Sequence, residues 1–404
     1  MDKKSIKYDF TIIGGGLIGT LVSILLSRNG FKCCLIERNS CEEINNLKKF
    51  SPLSLNYRSI LILKKFSLWN EEYISAAPIT GLIMKCFNSL NRLQFSSSDI
   101  DLEYLGYVVN KFSLQKYFIN AANKQEGLDI VDNSSVVEIK QKINQTSYVI
   151  RTSSEKPKSI QSEFVILSDG EPSSLKDKLE FKTHYHHHDQ TSYLVDCGGS
   201  FEAGVAAQLF NEDGIFALVP YSTTKTSLIL TLNDDRKDKY INKNNKVNID
   251  QIQKVYSNYL KNIKTVKITG SYQLKSSKSD AIIRNNVLLL GNTSQLLHPV
   301  GAQGFNLGIR NIETIINQLD RKQILKRRDI SESMKEIVDI INHDRQDVLQ
   351  MTDVAIKFFA NSKSASRIIS SFMINFLKIS QKSKHKFLKK ILGLDNCSYL
   401  TIKG

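Results

Sequence analysis

Gly14-Gly15-Gly16-Leu17-Ile18-Gly19 is the stretch whose reading decides the fold. The residues before it, Tyr8–Gly14, read as a buried parallel strand, with Phe10, Ile12 and Ile13 apolar. The residues after it, Leu17–Asn29, read as a helix. Leu17, Ile18, Leu21, Val22, Leu25 and Leu26 recur at helical spacing, and Gly30 supplies a stop. Lys32–Glu37 reads as the next strand. Strand, glycine turn, helix and strand in this order form a dinucleotide-binding βαβ unit. Gly14 permits the tight turn, Gly16 lets a pyrophosphate approach the backbone, and Gly19 lets helix and strand pack closely. The helix N-terminus offers free N–H groups to the phosphates. Glu37 ends the second strand, where a carboxylate can accept ribose hydroxyls, which favours FAD or NAD over NADP.

Further along, Ser113–Gln125 reads as a helix. Ser135–Lys140, Ser147–Thr152 and Glu163–Leu167 read as strands, the last ending at Ser168-Asp169-Gly170. Tyr193–Leu232 is strand-rich, and Asn286–Leu290 is a short buried strand. A helix is expected from about Phe305 to Leu319, and the chain from Ile330 onward is mainly helical. The expectation is an α/β fold: a Rossmann-like FAD-binding domain, glutathione-reductase-like, with an inserted, mainly antiparallel β substrate domain and a helical C-terminus. The FAD-binding domain is assigned residues 1–75, 100–178 and 275–330, the substrate domain 76–99 and 179–274, and the helical region 331–404.

The chain has 404 residues, enough for two packed domains, and an ordinary globular composition of 41% hydrophobic and 24% charged residues. No apolar run suits a membrane span or a signal-peptide core, so a cytoplasmic chain is expected. Cys33, Cys34, Cys41, Cys86, Cys197 and Cys397 form no CxxC pair and are read as reduced, with no metal site. The net charge is +15, and abundant Lys, Asn and Ile accord with an AT-rich genome. The charge concentrates in Val354–Leu394, where Lys357, Lys363, Arg367, Lys378, Lys382, Lys384, Lys386, Lys389 and Lys390 occur with no acidic residue. No nucleic-acid motif accompanies them.

A second motif runs Gly291-Asn292-Thr293-Ser294-Gln295-Leu296-Leu297-His298-Pro299-Val300-Gly301-Ala302-Gln303-Gly304-Phe305-Asn306-Leu307-Gly308. It follows a buried strand and opens a helix. Its clustered glycines let a ligand touch the first N–H groups of that helix, where the negative charge of a reduced flavin would be stabilised. An ordinary glycine-rich start to a helix is the competing reading.

The pairing of these two motifs resembles the class A flavin aromatic hydroxylases, and within them the ubiquinone-biosynthesis hydroxylases, in particular the 2-polyprenyl-6-methoxyphenol hydroxylase branch. Ser54-Leu55-Asn56-Tyr57-Arg58-Ser59 through Leu68-Trp69 is similar to a helix of that family. Leu105–Val109, Asp213–Pro220, Asp169-Gly170 with Ser173, and Asp344-Arg345 with Thr352-Asp353 and Phe358-Phe359-Ala360-Asn361 extend the resemblance over nearly the whole chain. The resemblance implies FAD as cofactor, NADPH or NADH as transient reductant, and O2 as co-substrate. It implies hydroxylation of a polyprenyl phenol ring through a flavin C4a-hydroperoxide, and membership of a ubiquinone-biosynthesis complex. Gly14, Gly16, Gly19, Glu37 and Asp169 would hold the nucleotide side of FAD, and Arg58 would also bind the cofactor. Asn292, Gly304, Phe305 and Asn306 would border its ribityl chain and ring, and His298 and Pro299 would flank the reaction space as catalytic residues.

Two single positions and one pair depart from the pattern. Ser51 stands where the family usually has a flavin-contacting Arg, Lys176 replaces the Arg of the Asp-Gly motif, and Gly301-Ala302 inverts the usual Ala-Gly. Lys is no bidentate equivalent of Arg. A hydroxylase of a soluble aromatic and a weakly catalytic FAD-binding scaffold subunit stand as alternatives. His298 either touches substrate or only packs. His184, His186, His187 and His188 read as a solvated loop ahead of a Thr191–Cys197 strand rather than a metal site. The basic tail reads either as a core-covering helix with a solvated face or as a peripheral contact with the inner face of a membrane.

Overall fold

The computed structural model describes residues 6–86, 92–141, 148–153, 159–319, 330–359 and 364–395. Ala360, Asn361, Lys363 and Cys397 fall outside the described residues. The first sheet is built on β1 (Ile6–Ile13), β2 (Cys33–Ile36), β8 (Leu128–Val131), β11 (Ser159–Leu167) and β18 (Val287–Leu289). These run parallel, and with β17 (Ile283–Arg284) the order is β17-β18-β11-β1-β2-β8. Two antiparallel strands, β9 (Ser135–Gln141) and β10 (Tyr148–Ser153), join it beside β11. Phe10, Ile12, Phe164, Val165, Ile166 and Leu167 are fully buried, as strands covered on both faces require. Helix α1 (Leu17–Arg28) packs against β2, α5 (Lys111–Ala122) and α8 (Gln303–Gln318). The parallel order reverses at β1, which has β2 on one side and β11 on the other. In an open α/β sheet that reversal opens a crevice at the carboxyl ends of the strands.

The second sheet has the order β19-β16-β12-β15-β14-β13-β5-β6. Its strands are β5 (Gly81–Cys86), β6 (Arg92–Ser96), β12 (Thr183–Phe201), β13 (Val205–Asn211), β14 (Gly214–Pro220), β15 (Lys225–Asn233), β16 (Leu260–Ser279) and β19 (Gln295–Leu296). Neighbours are antiparallel except β5 and β13, which pair in parallel. A small sheet of β3 (Pro52–Asn56), β7 (Gly106–Asn110) and β4 (Ala77–Ile79) stands apart. Ser54–Asn56 is thus strand, and α3 (Tyr57–Lys65) starts one residue later, with the Asn56 side chain accepting the Ser59 N–H.

The histidine run is not a loop. Thr183–His187 pairs residue for residue with Ser279–Lys275 of β16, and the first shift in register comes after it, between His187 and Thr191. Its side chains are largely exposed, so no apolar alternation marks the strand in the sequence. Backbone pairing to the equally polar β16 holds it instead of burial.

The C-terminal helices are α9 (Ile330–Phe359), α10 (Ser364–Ile379) and α11 (Gln381–Ile391). Arg345 on α9 is 1% exposed and donates to Gln295 Oε1, Ser279 O and Ser294 O. Burial lowers its pKa to about 10, so it stays charged at neutral pH. Asp344 accepts from Nε and Nη2 of Arg310 on α8 at 2.9 and 3.0 Å. These two adjacent residues bolt α9 to both sides of the second motif. Among the described residues no helix is long and apolar enough to cross a membrane.

Candidate functional site

Four strand ends deliver the residues singled out in the sequence. β1 leads into Gly14, β2 into Glu37, β11 into Ser168-Asp169-Gly170, and β18 into the Gly291–Thr293 turn. Because these strands are parallel neighbours, the four points lie along one edge of the sheet, at and beside the reversal.

The glycine turn is packed as tightly as backbone allows. Gly14 has φ +102°, and a Cβ there would lie 2.6 Å from the Asp169 Cα. A Cβ on Gly19 would lie 1.9 Å from the Gly14 carbonyl oxygen. Ser168 Oγ donates to the Ile13 and Gly14 carbonyls, tying the turn to β11. Gly16 is different: a Cβ there meets nothing within 4 Å, so its side faces an open cradle. The same contrast appears at helix starts. α2 (Cys41–Asn46), α3, α4 (Glu71–Ile74), α5, α6 (Ser174–Lys178), α7 (Ile249–Val255) and α11 each begin on a Ser or Asn side chain that accepts a first-turn N–H. The first turns of α1 and α8 have no such cap. Uncapped first-turn N–H groups beside an open glycine fit the pyrophosphate and the flavin pyrimidine edge of FAD.

Glu37 is 7% exposed. Its Oε2 accepts the Gly15 N–H at 2.6 Å, and its Oε1 accepts from the Asn39 backbone and side-chain nitrogens, both at 2.9 Å. The carboxylate is thereby fixed against the glycine turn. Asp169 is exposed to solvent, yet desolvation by the surrounding protein raises its carboxyl pKa. Ser173 Oγ donates to it at 2.7 Å and Thr293 Oγ1 at 3.3 Å. Lys176 is fully buried in an ion pair with Glu171 and also reaches the Thr293 carbonyl, so its charge is spent inside the protein. Ser51 immediately precedes β3, and its N–H donates to Asn110 Oδ1.

In the second motif Asn292 is exposed, with its Oδ1 3.9 Å from where a Gly304 Cβ would lie. Phe305 is partly buried against the first core. Asn306 is 2% exposed and fully engaged. It accepts from Asn56 N and Ser59 Oγ and donates to the Ser54 and Ala302 carbonyls. It joins α8 to β3 and α3. Arg58 also looks inward, with Nη2 2.5 Å from Glu313 Oε2 of α8.

His298 is 2% exposed. Its Nδ1 accepts the Val300 N–H at 3.2 Å, so Nε2 carries the proton and donates to Gln190 Oε1 at 3.1 Å. Burial, with His188 stacked edge-on at 5.0 Å, lowers its pKa to about 3. At neutral pH it is an uncharged clamp on the Pro299–Ala302 turn that leads into α8. Between about pH 6.5 and 3 the unfolded chain binds a proton at this position that the folded chain refuses. Stability therefore falls as pH drops through that window, by up to about 1.4 kcal/mol per pH unit. Urea unfolding of His298→Gln across this range should show an acid limb shallower than wild type by that one proton.

The inverted pair Gly301-Ala302 has a visible cost. Gly301 has φ +71° and Ala302 φ +52°, so the turn needs two left-handed residues and only one is glycine. Replacing Ala302 with Gly should stabilise the fold by about 1 kcal/mol, read from urea denaturation, since a Cβ is disfavoured there by that order.

Residues that the sequence did not single out also meet here. Thr293, fully buried, accepts the Gly170 N–H and donates to Asp169, joining two strand ends. Gln115 of α5 reaches the Gly15 carbonyl at 3.4 Å. Thr293 lay within the second motif, but Gln115 had no signal beyond its place one turn into a helix.

The family described as FAD binding domain matches residues 7–321. Ubiquinone hydroxylase UbiM of Neisseria meningitidis is 19% identical over 383 residues, covering 92% of this chain and 81% of its own. The 3-demethoxyubiquinol 3-hydroxylase of Escherichia coli is 21% identical over 317 residues, covering 77% of this chain and 79% of its own. The crystal structure of p-nitrophenol 4-monooxygenase PnpA from Pseudomonas putida superposes with a TM-score of 0.76 at 15% identity, over 97% of this chain and 98% of that one. With that match spanning most of its length, and with two open helix N-termini converging where the sheet order reverses, the chain belongs to the FAD binding domain family of FAD-dependent monooxygenases.

Proposed function

We propose that this protein hydroxylates the aromatic ring of a polyprenyl phenol on the route to ubiquinone, using FAD, O2 and NADPH or NADH. The observation that carries the reading is the pair of uncapped helices, α1 and α8, opening beside Gly16 and Gly304. The similarity to ubiquinone hydroxylases along most of the chain supports the substrate class. Bound FAD, once reduced, supplies oxygen-transfer chemistry toward an electron-rich ring.

The chain's own groups bind, orient and exclude water. The α1 first turn with Gly14, Gly16 and Gly19 takes the pyrophosphate. Glu37 faces the adenosine ribose and Asp169 the neighbouring phosphate region. Asn292, Gly304 and Phe305 border the ribityl chain and ring, and the α8 first turn offers N–H groups to charge that develops on reduction. Asn306 and Arg58 hold α8 in register with α3, so they act by positioning. His298, uncharged and doubly hydrogen-bonded, fixes the turn at Pro299, its single N–H committed to Gln190. The segments 1–75, 100–178 and 275–330 would serve the cofactor, and 76–99 with 179–274 the substrate.

Quinone profiling of a deletion strain tests the reading. A polyprenyl-6-methoxyphenol should accumulate, and the purified, FAD-loaded protein should consume NAD(P)H faster when a prenylated phenol is added. Stimulation by a water-soluble phenol alone would move the assignment to a soluble aromatic. FAD without turnover, together with normal ubiquinone, would leave a scaffold subunit.

A further inference from the structure

Helices α10 and α11 both lie on the second sheet. Ile374, Leu388 and Leu392 are buried in one cluster with Met84 and Phe95. Phe387 stacks on Phe95 with ring centroids 6.0 Å apart, and Lys384 pairs with Asp99 at 2.7 Å. Two helices seated on the same sheet turn their other faces to the same side, away from it.

On α10 that outer face carries Phe372, Phe376 and Ile379, which are 71%, 53% and 85% exposed. Their spacing of four and three residues aligns them on one stripe. On α11 the exposed residues include Lys382, Lys386 and Lys390, spaced by four and likewise aligned. Only Ser380 separates the helices, so the apolar stripe and the lysine stripe meet at that corner. No acidic residue occurs between Val354 and Leu394.

Three large apolar side chains exposed in line are not a feature of an ordinary solvated surface. A second copy of this chain would bring an equally basic face, at a net charge of +15, against the first. A surface that is apolar just below a negative layer suits both stripes at once. We propose that the outer face of α10 and α11 docks on an anionic bilayer, with Phe372, Phe376 and Ile379 at the headgroup–acyl boundary and Lys382, Lys386 and Lys390 on the lipid phosphates. This docking is independent of which phenol the protein oxidises.

The FAD-loaded full chain is sedimented with vesicles of phosphatidylcholine alone or mixed with phosphatidylglycerol. Wild type should partition onto the anionic vesicles, and added salt should weaken that binding. F372S/F376S/I379S should lower the partition coefficient by at least about tenfold, as loss of three interfacial apolar side chains implies. K382Q/K386Q/K390Q should lower it by about fivefold per lysine on anionic vesicles and flatten the salt dependence. Flavin content and thermal transition should match wild type in both variants. The proposal is overturned if wild type stays in the supernatant with anionic vesicles, or if both variants bind as wild type does. It is equally overturned if wild type self-associates and the apolar triple variant restores the monomer while vesicle binding is unchanged.

Discussion

Gly19→Ala should be purified largely without FAD and with measurably lower stability. The added Cβ would lie 1.9 Å from the Gly14 carbonyl oxygen and 2.4 Å from Ser168 Oγ. The hydroxyl can rotate away, but the carbonyl belongs to the turn itself and is held there by the Ser168 hydrogen bond. The helix must then shift off β1, which costs about 1–3 kcal/mol of folding free energy as overpacking does. The same shift moves the first-turn N–H groups away from the phosphates. A loss of about 3 kcal/mol in binding is roughly a hundredfold in Kd. Flavin absorbance per chain and urea denaturation check the two halves separately. Gly16→Ala is the informative partner, because its Cβ meets no protein atom within 4 Å. It should keep wild-type stability in the flavin-free protein and bind FAD more weakly. Unchanged FAD affinity in Gly16→Ala would remove the cradle from the binding site.

Arg58→Met should destabilise the protein by about 3 kcal/mol, because it leaves the buried Glu313 carboxylate with only the longer contact to the half-exposed Lys65. The pair is 2.5 Å apart with side chains 8% and 6% exposed, and the other nearby cation, Lys65, stands at 3.7 Å. Removing both charges in R58M/E313L should restore most of the loss, since an apolar pair of similar volume replaces the ion pair. The two proteins also separate two roles for Arg58. A strut between α3 and α8 gives a stability defect that the second substitution rescues, with FAD content following stability. A direct flavin contact gives an affinity defect that R58M/E313L retains. Denaturation midpoints and flavin titration of the three proteins decide it.

The glycine turn and four of the five parallel strands, all but β8, were legible from sequence because they obey local rules. A strand buried on both faces is continuously apolar, and a turn against a helix N-terminus leaves glycines at fixed spacing. The histidine strand was not legible. Exposed polar residues in an extended ladder carry neither period nor hydrophobicity, and only β16, some ninety residues away in the chain, makes Thr183–His187 a strand. The second motif was recognisable as a unit, but the division of labour within it was not. Asn306 and Gln295 belong to the same conspicuous stretch as Asn292. The structure nevertheless turns them inward, onto Ser54–Ser59 and Arg345 respectively.

The sequence by itself thus determined that this chain builds a dinucleotide-binding βαβ unit with a second glycine-rich helix start near its end. Those features are set by which backbone conformations and close approaches the residues permit. Tertiary structure alone decided which motif residues remain open to a ligand and which are consumed as struts. Whether Glu313 or a flavin faces Arg58, and whether Lys176 is free or paired with Glu171, depends on what distant segments bring within hydrogen-bonding reach. A buried charge takes the partner that packing places beside it.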